Sequence, residues 1–151
     1  MRHLRCREQN KRKCPHHFFH ERSTPIFIPG NHELSFDRDR SEPIEKAMAL
    51  HGILVLQNAV TNCDGVTIGS IDRDVSSKDE DIPTDLDILV THFPPFGIID
   101  DDFGSPEILN FMMKSKPAYY LFGHVHSTER QEFRFGETLC VNVGKSQLLK
   151  K

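Results

Sequence analysis

Ile88-Leu89-Val90-Thr91-His92-Phe93-Pro94-Pro95 is a short aliphatic run that breaks off in a threonine, a histidine and two prolines. Such a run favours a strand, and the proline pair takes the chain out of it at once. Two other places in the chain follow the same plan. Ile26-Phe27-Ile28 leads into Gly30-Asn31-His32-Glu33, and Tyr119-Tyr120-Leu121-Phe122 leads into Gly123-His124-Val125-His126. In an open layered sheet, ligands gather in the crevice beyond the carboxyl ends of the strands. Three motifs far apart in sequence would then meet in space.

Imidazole nitrogens and an amide oxygen suit zinc, iron or manganese, whereas copper(I) or an iron–sulfur cluster would call for thiolates. The chemistry to which the motifs point is metal-assisted hydrolysis. Each has an ordinary meaning when taken alone. Asn31 after Gly30 is common turn chemistry, and Pro94-Pro95 is a rigid strand exit. His124 and His126 are two apart, so on a strand they share a face, which also fits an exposed sheet surface. Phe93 and Phe96, on either side of the prolines, suit either an apolar wall beside a ligand or simple core packing.

The intervening sequence reads as scaffold. Ser41 is placed to cap a helix through Ile44, Ala47 and Met48, which share one face, and Gly52 is a natural stop. Ile53-Leu54-Val55-Leu56 and Val66-Thr67-Ile68 read as strands joined through the turn-prone Asn62-Cys63-Asp64-Gly65. The acidic stretch from Asp72 to Asp87 reads as an exposed loop. Ser105 and Pro106 open a second helix that places Ile108, Phe111 and Met112 on one face and ends in Lys114 and Lys116 before Pro117. Met112 and Met113 read as core filler. Glu132-Phe133-Arg134-Phe135 and Leu139-Cys140-Val141-Asn142-Val143 then form two strands around Gly136-Glu137. A strand–helix–strand opening followed by mixed strands predicts an α/β or α+β fold with layered sheets.

Composition sets outer bounds. The 151 residues suffice for one domain, and 37% apolar residues predict a thin core. Cys6, Cys14, Cys63 and Cys140 form no C-x-x-C pair, and the arginine-rich start has no apolar stretch behind it, so the chain reads as intracellular, cytoplasmic, with reduced thiols. No run approaches the roughly 20 apolar residues that span a bilayer, which excludes a membrane helix. Residues 1–22 hold seven basic against two acidic side chains, a balance of +5 that leaves −8 for the rest of a chain of net charge −3. The basic head, with Lys11-Arg12-Lys13, is expected to be a disordered leader rather than a nucleic-acid site. Cys6 and Cys14 are too widely spaced for the usual zinc pair.

Gly30-Asn31-His32-Glu33, Thr91-His92 with Pro94-Pro95, and Gly123-His124-Val125-His126, in that order, resemble the calcineurin-like metallophosphoesterase superfamily. Phe27-Ile28-Pro29-Gly30-Asn31-His32-Glu33-Leu34 and Asp87-Ile88-Leu89-Val90-Thr91-His92 are most similar to its small, UPF0046-like branch. The resemblance runs from about residue 25 to the end, so the expected organisation is a leader over residues 1–24 and a partial phosphoesterase domain over 25–151. It implies facing sheets flanked by helices, and hydrolysis of a phosphoester substrate, nucleotides included. By the same resemblance, Asn31, His92 and His124 would hold one divalent ion (manganese, iron or zinc) and His126 its neighbour. His32 would act as general acid, oriented by Glu33.

Family members open with an Asp-x-His strand and a Gly-Asp motif that complete the two-ion centre. This chain has no aspartate before Asp37. Two dications without a carboxylate between them repel essentially uncompensated, so one ion or none is expected here. His16, His17 or His20 could serve as substitute ligands but bring no bridging carboxylate. Without the opening strands, Ile26-Phe27-Ile28 would present an unpaired edge, which predicts self-association. A non-catalytic binding or regulatory module is the alternative to an enzyme.

Overall fold

A computed structural model of the chain describes residues 24–32, 41–71, 83–126 and 131–144. The acidic stretch 72–82, the basic head before residue 24 and Glu33 lie outside the described residues.

The element order is β1 (Ile26–Phe27), α1 (Ser41–Leu50), β2 (Leu54–Val55), β3 (Ala59–Cys63), β4 (Val66–Ser70), β5 (Ile88–Thr91), α2 (Pro106–Ser115), β6 (Tyr119–Phe122), β7 (Glu132–Phe135) and β8 (Thr138–Asn142). They form two sheets. The larger runs β3-β4-β5-β6-β8-β7, and the smaller pairs β1 with β2. Strands β4, β5, β6 and β8 are mutually parallel, and antiparallel partners close the sheet at both sides.

Residue alternation gives the large sheet two different faces. Leu89, Tyr120 and Cys140 stand in register on one of them, with Phe122 beside them. This face carries the main core, built with Ile108, Phe111 and Met112 of α2 and with Ile71, Leu86 and Ile98. Helix α2 forms where it was expected because Ser105 accepts a hydrogen bond from the amide of Ile108 and Pro106 opens the first turn. Lys116 ends it in the left-handed conformation.

The opposite face carries Ile68, Ile88 and Val90, and against these pack Leu56 and the half-buried Ile26 and Ile28 of the smaller sheet. The molecule is thus a layered α/β structure, with a helix on one side of the main sheet and a second sheet on the other. Farther along that face Leu121, Leu139 and Val141 are half-buried and Tyr119 is exposed.

Several expectations need correction. The stretch 53–56 contributes only Leu54–Val55, and these belong to the smaller sheet. The partner of Val66–Ser70 is Ala59–Cys63, a strand not anticipated. Its Thr61 and Asn62 are polar and hid the strand from a hydrophobic pattern. The turn was visible: Asp64 and Gly65 both have positive φ, 51° and 88°, as a two-residue hairpin turn of type I′ requires. Ala47 and Met113 are exposed rather than part of a core face. Among the described residues no helix is long and apolar enough to cross a membrane.

Candidate metal centre

Three loops leave the same end of the sheets. Asn31 follows β1 by way of Pro29 and Gly30 and, with His32, has helical backbone. His92 follows β5 directly, and His124 follows β6 after one glycine. Because β5 and β6 are parallel neighbours in register from Ile88 opposite Tyr119 to Thr91 opposite Phe122, their exits lie side by side. The amide of Gly123 then donates to the carbonyl of His92 at 3.0 Å.

This brings three side chains together. Nε2 of His92 lies 2.7 Å from Oδ1 of Asn31 and 3.2 Å from Nδ1 of His124. The tautomer of each imidazole sets which of these nitrogens donates and which accepts. Two nitrogens bound to one zinc ion in tetrahedral geometry, each about 2.0–2.1 Å from it, would lie roughly 3.3 Å apart. The imidazole pair therefore has the spacing of two ligands of one cation, and the amide oxygen of Asn31 lies at hydrogen-bond distance from the first of them.

Both histidine turns are held firmly. The Thr91 hydroxyl donates to the carbonyl of Phe93 at 2.5 Å, and the one proton of the Tyr120 hydroxyl is shared between the Thr91 oxygen at 2.7 Å and that carbonyl at 3.2 Å, bracketing His92. Tyr120 is fully buried, and burial pushes its hydroxyl well above the usual tyrosine range against a smaller lowering by the Thr91 hydrogen bond. It remains a neutral donor at any ordinary pH.

His124 has φ of +67°, and the amide of Val125 donates to the carbonyl of Gly123 at 2.8 Å. That is a γ-turn of the rare, positive-φ kind, a strained conformation of the sort that clusters at functional sites. The His124 ring sits 4.4 Å from the ring of Phe93 and 4.9 Å from that of Phe103, centroid to centroid.

Phe103 belongs to a compact loop closed at its base, where the amide of Ser105 donates to Pro94 at 3.0 Å and the amide of Phe96 donates to Ser105 at 3.1 Å. Ile99, Asp101 and Asp102 in it all have positive φ, which for a β-branched residue such as Ile99 is uncommon.

Of the residues singled out by sequence, Asn31, His92 and His124 come together, whereas His32 and His126 are both exposed. Tyr120 and Phe103, which pack around the two histidine turns, and Asn142 on β8, whose amide donates to the carbonyl of Val125, carry no metal-site signature of their own in the sequence. Tyr120 was hidden in an apolar strand, Phe103 in a loop without a pattern. Asn142 had a usable signal in Asn142-Val143-Gly144, a sequence suited to an Asx turn.

The donor set fits one borderline divalent cation held by three neutral ligands. Among the described residues no group of three or more histidine, cysteine, aspartate or glutamate side chains is arranged to hold a metal, so the amide of Asn31 has to be counted for a third donor.

Fold and site define an α/β scaffold with an imidazole–amide cluster at the carboxyl edge of parallel strands. The chain belongs to the calcineurin-like phosphoesterase family, whose model matches residues 6–128 and whose members generally bind divalent metals. Similar curated proteins bear out the UPF0046-like branch. One UPF0046 protein of Caenorhabditis elegans is 27% identical over 149 residues, covering 80% of this chain and 51% of the relative. Another from the same organism is 29% identical over 155 residues, covering 78% and 54%. The chain therefore spans about half the length of these relatives. A solved crystal structure is similar in fold at a TM-score of 0.59 and 19% identity, covering 82% of this chain and 58% of that one.

Proposed function

We propose that the chain is a metal-dependent phosphoester hydrolase of the phosphodiesterase type, holding one divalent cation through Asn31, His92 and His124. The observation that carries this reading is the convergence of Oδ1 of Asn31 and Nδ1 of His124 on Nε2 of His92, at 2.7 and 3.2 Å. When bound, manganese, iron or zinc supplies charge stabilisation to the phosphoryl group and makes water a better nucleophile. As a ligand, His92 would present the bare Nε2 of a neutral imidazole whose proton is on Nδ1. Phe93 and Phe103, packed on the His124 ring, give it an apolar wall. His32, exposed and adjacent to Asn31, is the group to donate a proton to the leaving oxygen. Glu33, expected to orient it, lies outside the described residues. Phosphoesters, nucleotides among them, are the substrate class, and His126 would contact a second ion only where further ligands are brought to it.

A second reading is favoured by the neutrality of the donor set. With no carboxylate among the three donors, the chain would bind a single cation and a phosphate without turnover, as a binding or regulatory module.

The test is metal stoichiometry of the purified chain after loading with manganese or zinc, combined with hydrolysis of bis(p-nitrophenyl) phosphate. One ion per chain is expected, lost together with hydrolysis in His92→Ala and in His124→Ala. Binding without turnover would favour the module, and unchanged binding in both variants would remove the site.

A further inference from the structure

The γ-turn that aims His124 is strained, so something must hold it. Its following carbonyl, that of Val125, accepts from Nδ2 of Asn142 at 2.9 Å. The other end of the same amide, Oδ1, accepts from the backbone of Gly144 at 2.9 Å. Asn142 is the last residue of β8 and pairs in register with Phe122, the last residue of β6. It is 6% exposed, and its backbone is fixed on both sides: its amide donates to Gln131 at 2.6 Å, and the amide of Val143 donates to Phe122 at 2.7 Å. A rigid, buried side chain on one strand thus grips the turn that follows its neighbour.

Gly144 is fitted to this grip. A Cβ there would stand 3.0 Å from Oδ1 of Asn142 and 3.1 Å from the carbonyl oxygen of Val125, both tighter than ordinary contact. The missing side chain leaves room for the amide to reach Val125 while its oxygen is held from behind. Val125 is itself buried at 3% exposure, so a loosened carbonyl there would have no water to turn to.

We propose that Asn142, backed by Gly144, is the positioning residue for His124. It touches neither cation nor substrate. It holds the carbonyl of Val125 so that the turn keeps its positive φ and Nδ1 of His124 points at His92. The inference rests on the assignment of His124 as a ligand for its metal readout only, since the geometry it explains exists in the chain by itself.

Two measurements separate the two claims. The first is titration of the full chain with zinc, comparing wild type with Asn142→Ala, Asn142→Asp and Gly144→Ala. Both Asn142 variants lose the donated hydrogen bond, and affinity should fall about 10–100-fold, the usual consequence of removing a group that orients a ligand. The second is the through-space NMR contact between the His92 and His124 rings in the metal-free chain, which a merely stabilising residue would leave in place. It should be present in wild type and lost or much weakened in Asn142→Ala and Gly144→Ala. Wild-type zinc affinity in a folded Asn142→Ala, or a full ring contact in that variant, would overturn the proposal. If Asn142→Ala does not fold, Gly144→Ala decides by the same two readouts. Should wild type bind no zinc, the metal reading falls and the ring contact alone decides the positioning role.

Discussion

Two buried groups deserve a pH argument because burial acts on both in the same direction. The Cys140 thiol is pushed up to about 11 by burial, and the Tyr120 hydroxyl is raised well above its ordinary value, chiefly by burial. Each then binds its proton more tightly in the folded chain than in the unfolded one. The stability this represents is complete below the unfolded pKa values of about 9 for the thiol and 10 for the phenol, and is lost as pH rises above them. Denaturant titrations should therefore show stability falling from about pH 9 upward, and the fall should be shallower in Cys140→Ala and Tyr120→Phe. An equally steep fall in both variants would refute it. At neutral pH Tyr120→Phe should still cost about 1 kcal/mol, because it removes the buried hydroxyl whose proton is shared between Thr91 and the Phe93 carbonyl. The hydroxyl of Thr91 would remain bonded there.

Helix α2 shows most clearly why some elements can be read directly from the chain. Its cap, its proline, its apolar face and its left-handed end are all local, and each stands in the sequence within a few residues of the structure it causes. Ser105→Ala removes the acceptor for the Ile108 amide and should lower stability by about 1 kcal/mol in a urea titration, with little change in the slope; no loss would mean that the cap is redundant. Strands β5, β6 and β7 were equally plain, since a run of strand-favouring residues bounded by breakers is also a local signal. Strand β3 was not, because Thr61 and Asn62 join the sheet through pairing with β4, a decision made by a partner and not by their own side chains. The candidate centre divides in the same way. Asn31, His92 and His124 have residue types that can take a cation and can be found from them. Asn142 acts through an amide on an adjacent strand, and only the register of β6 with β8 reveals what it grips.

Among the described residues the large sheet is unevenly covered. Helix α2 and the loops around it bury one face, while the described part of the small β1–β2 sheet packs on only part of the other. Leu121, Leu139 and Val141 are left half-buried, with Tyr119 beside them at 51% exposure. Among the described residues β1 pairs only with β2, and an edge strand of that kind favours strand addition. Light scattering across a range of concentrations should show the mass rising with concentration, and substitution Val141→Lys should reduce the rise; a constant monomer mass would contradict the expectation. The wide spacing of the three donors along the chain has a different consequence. His92 stands 61 residues from Asn31 and 32 from His124, so the cluster exists only after the small sheet has docked and the parallel strands have paired, steps that are intrinsically slow. In a refolding time course the ability to capture a cation should lag behind the recovery of circular dichroism, which would make metal uptake a clock for the final stage of assembly.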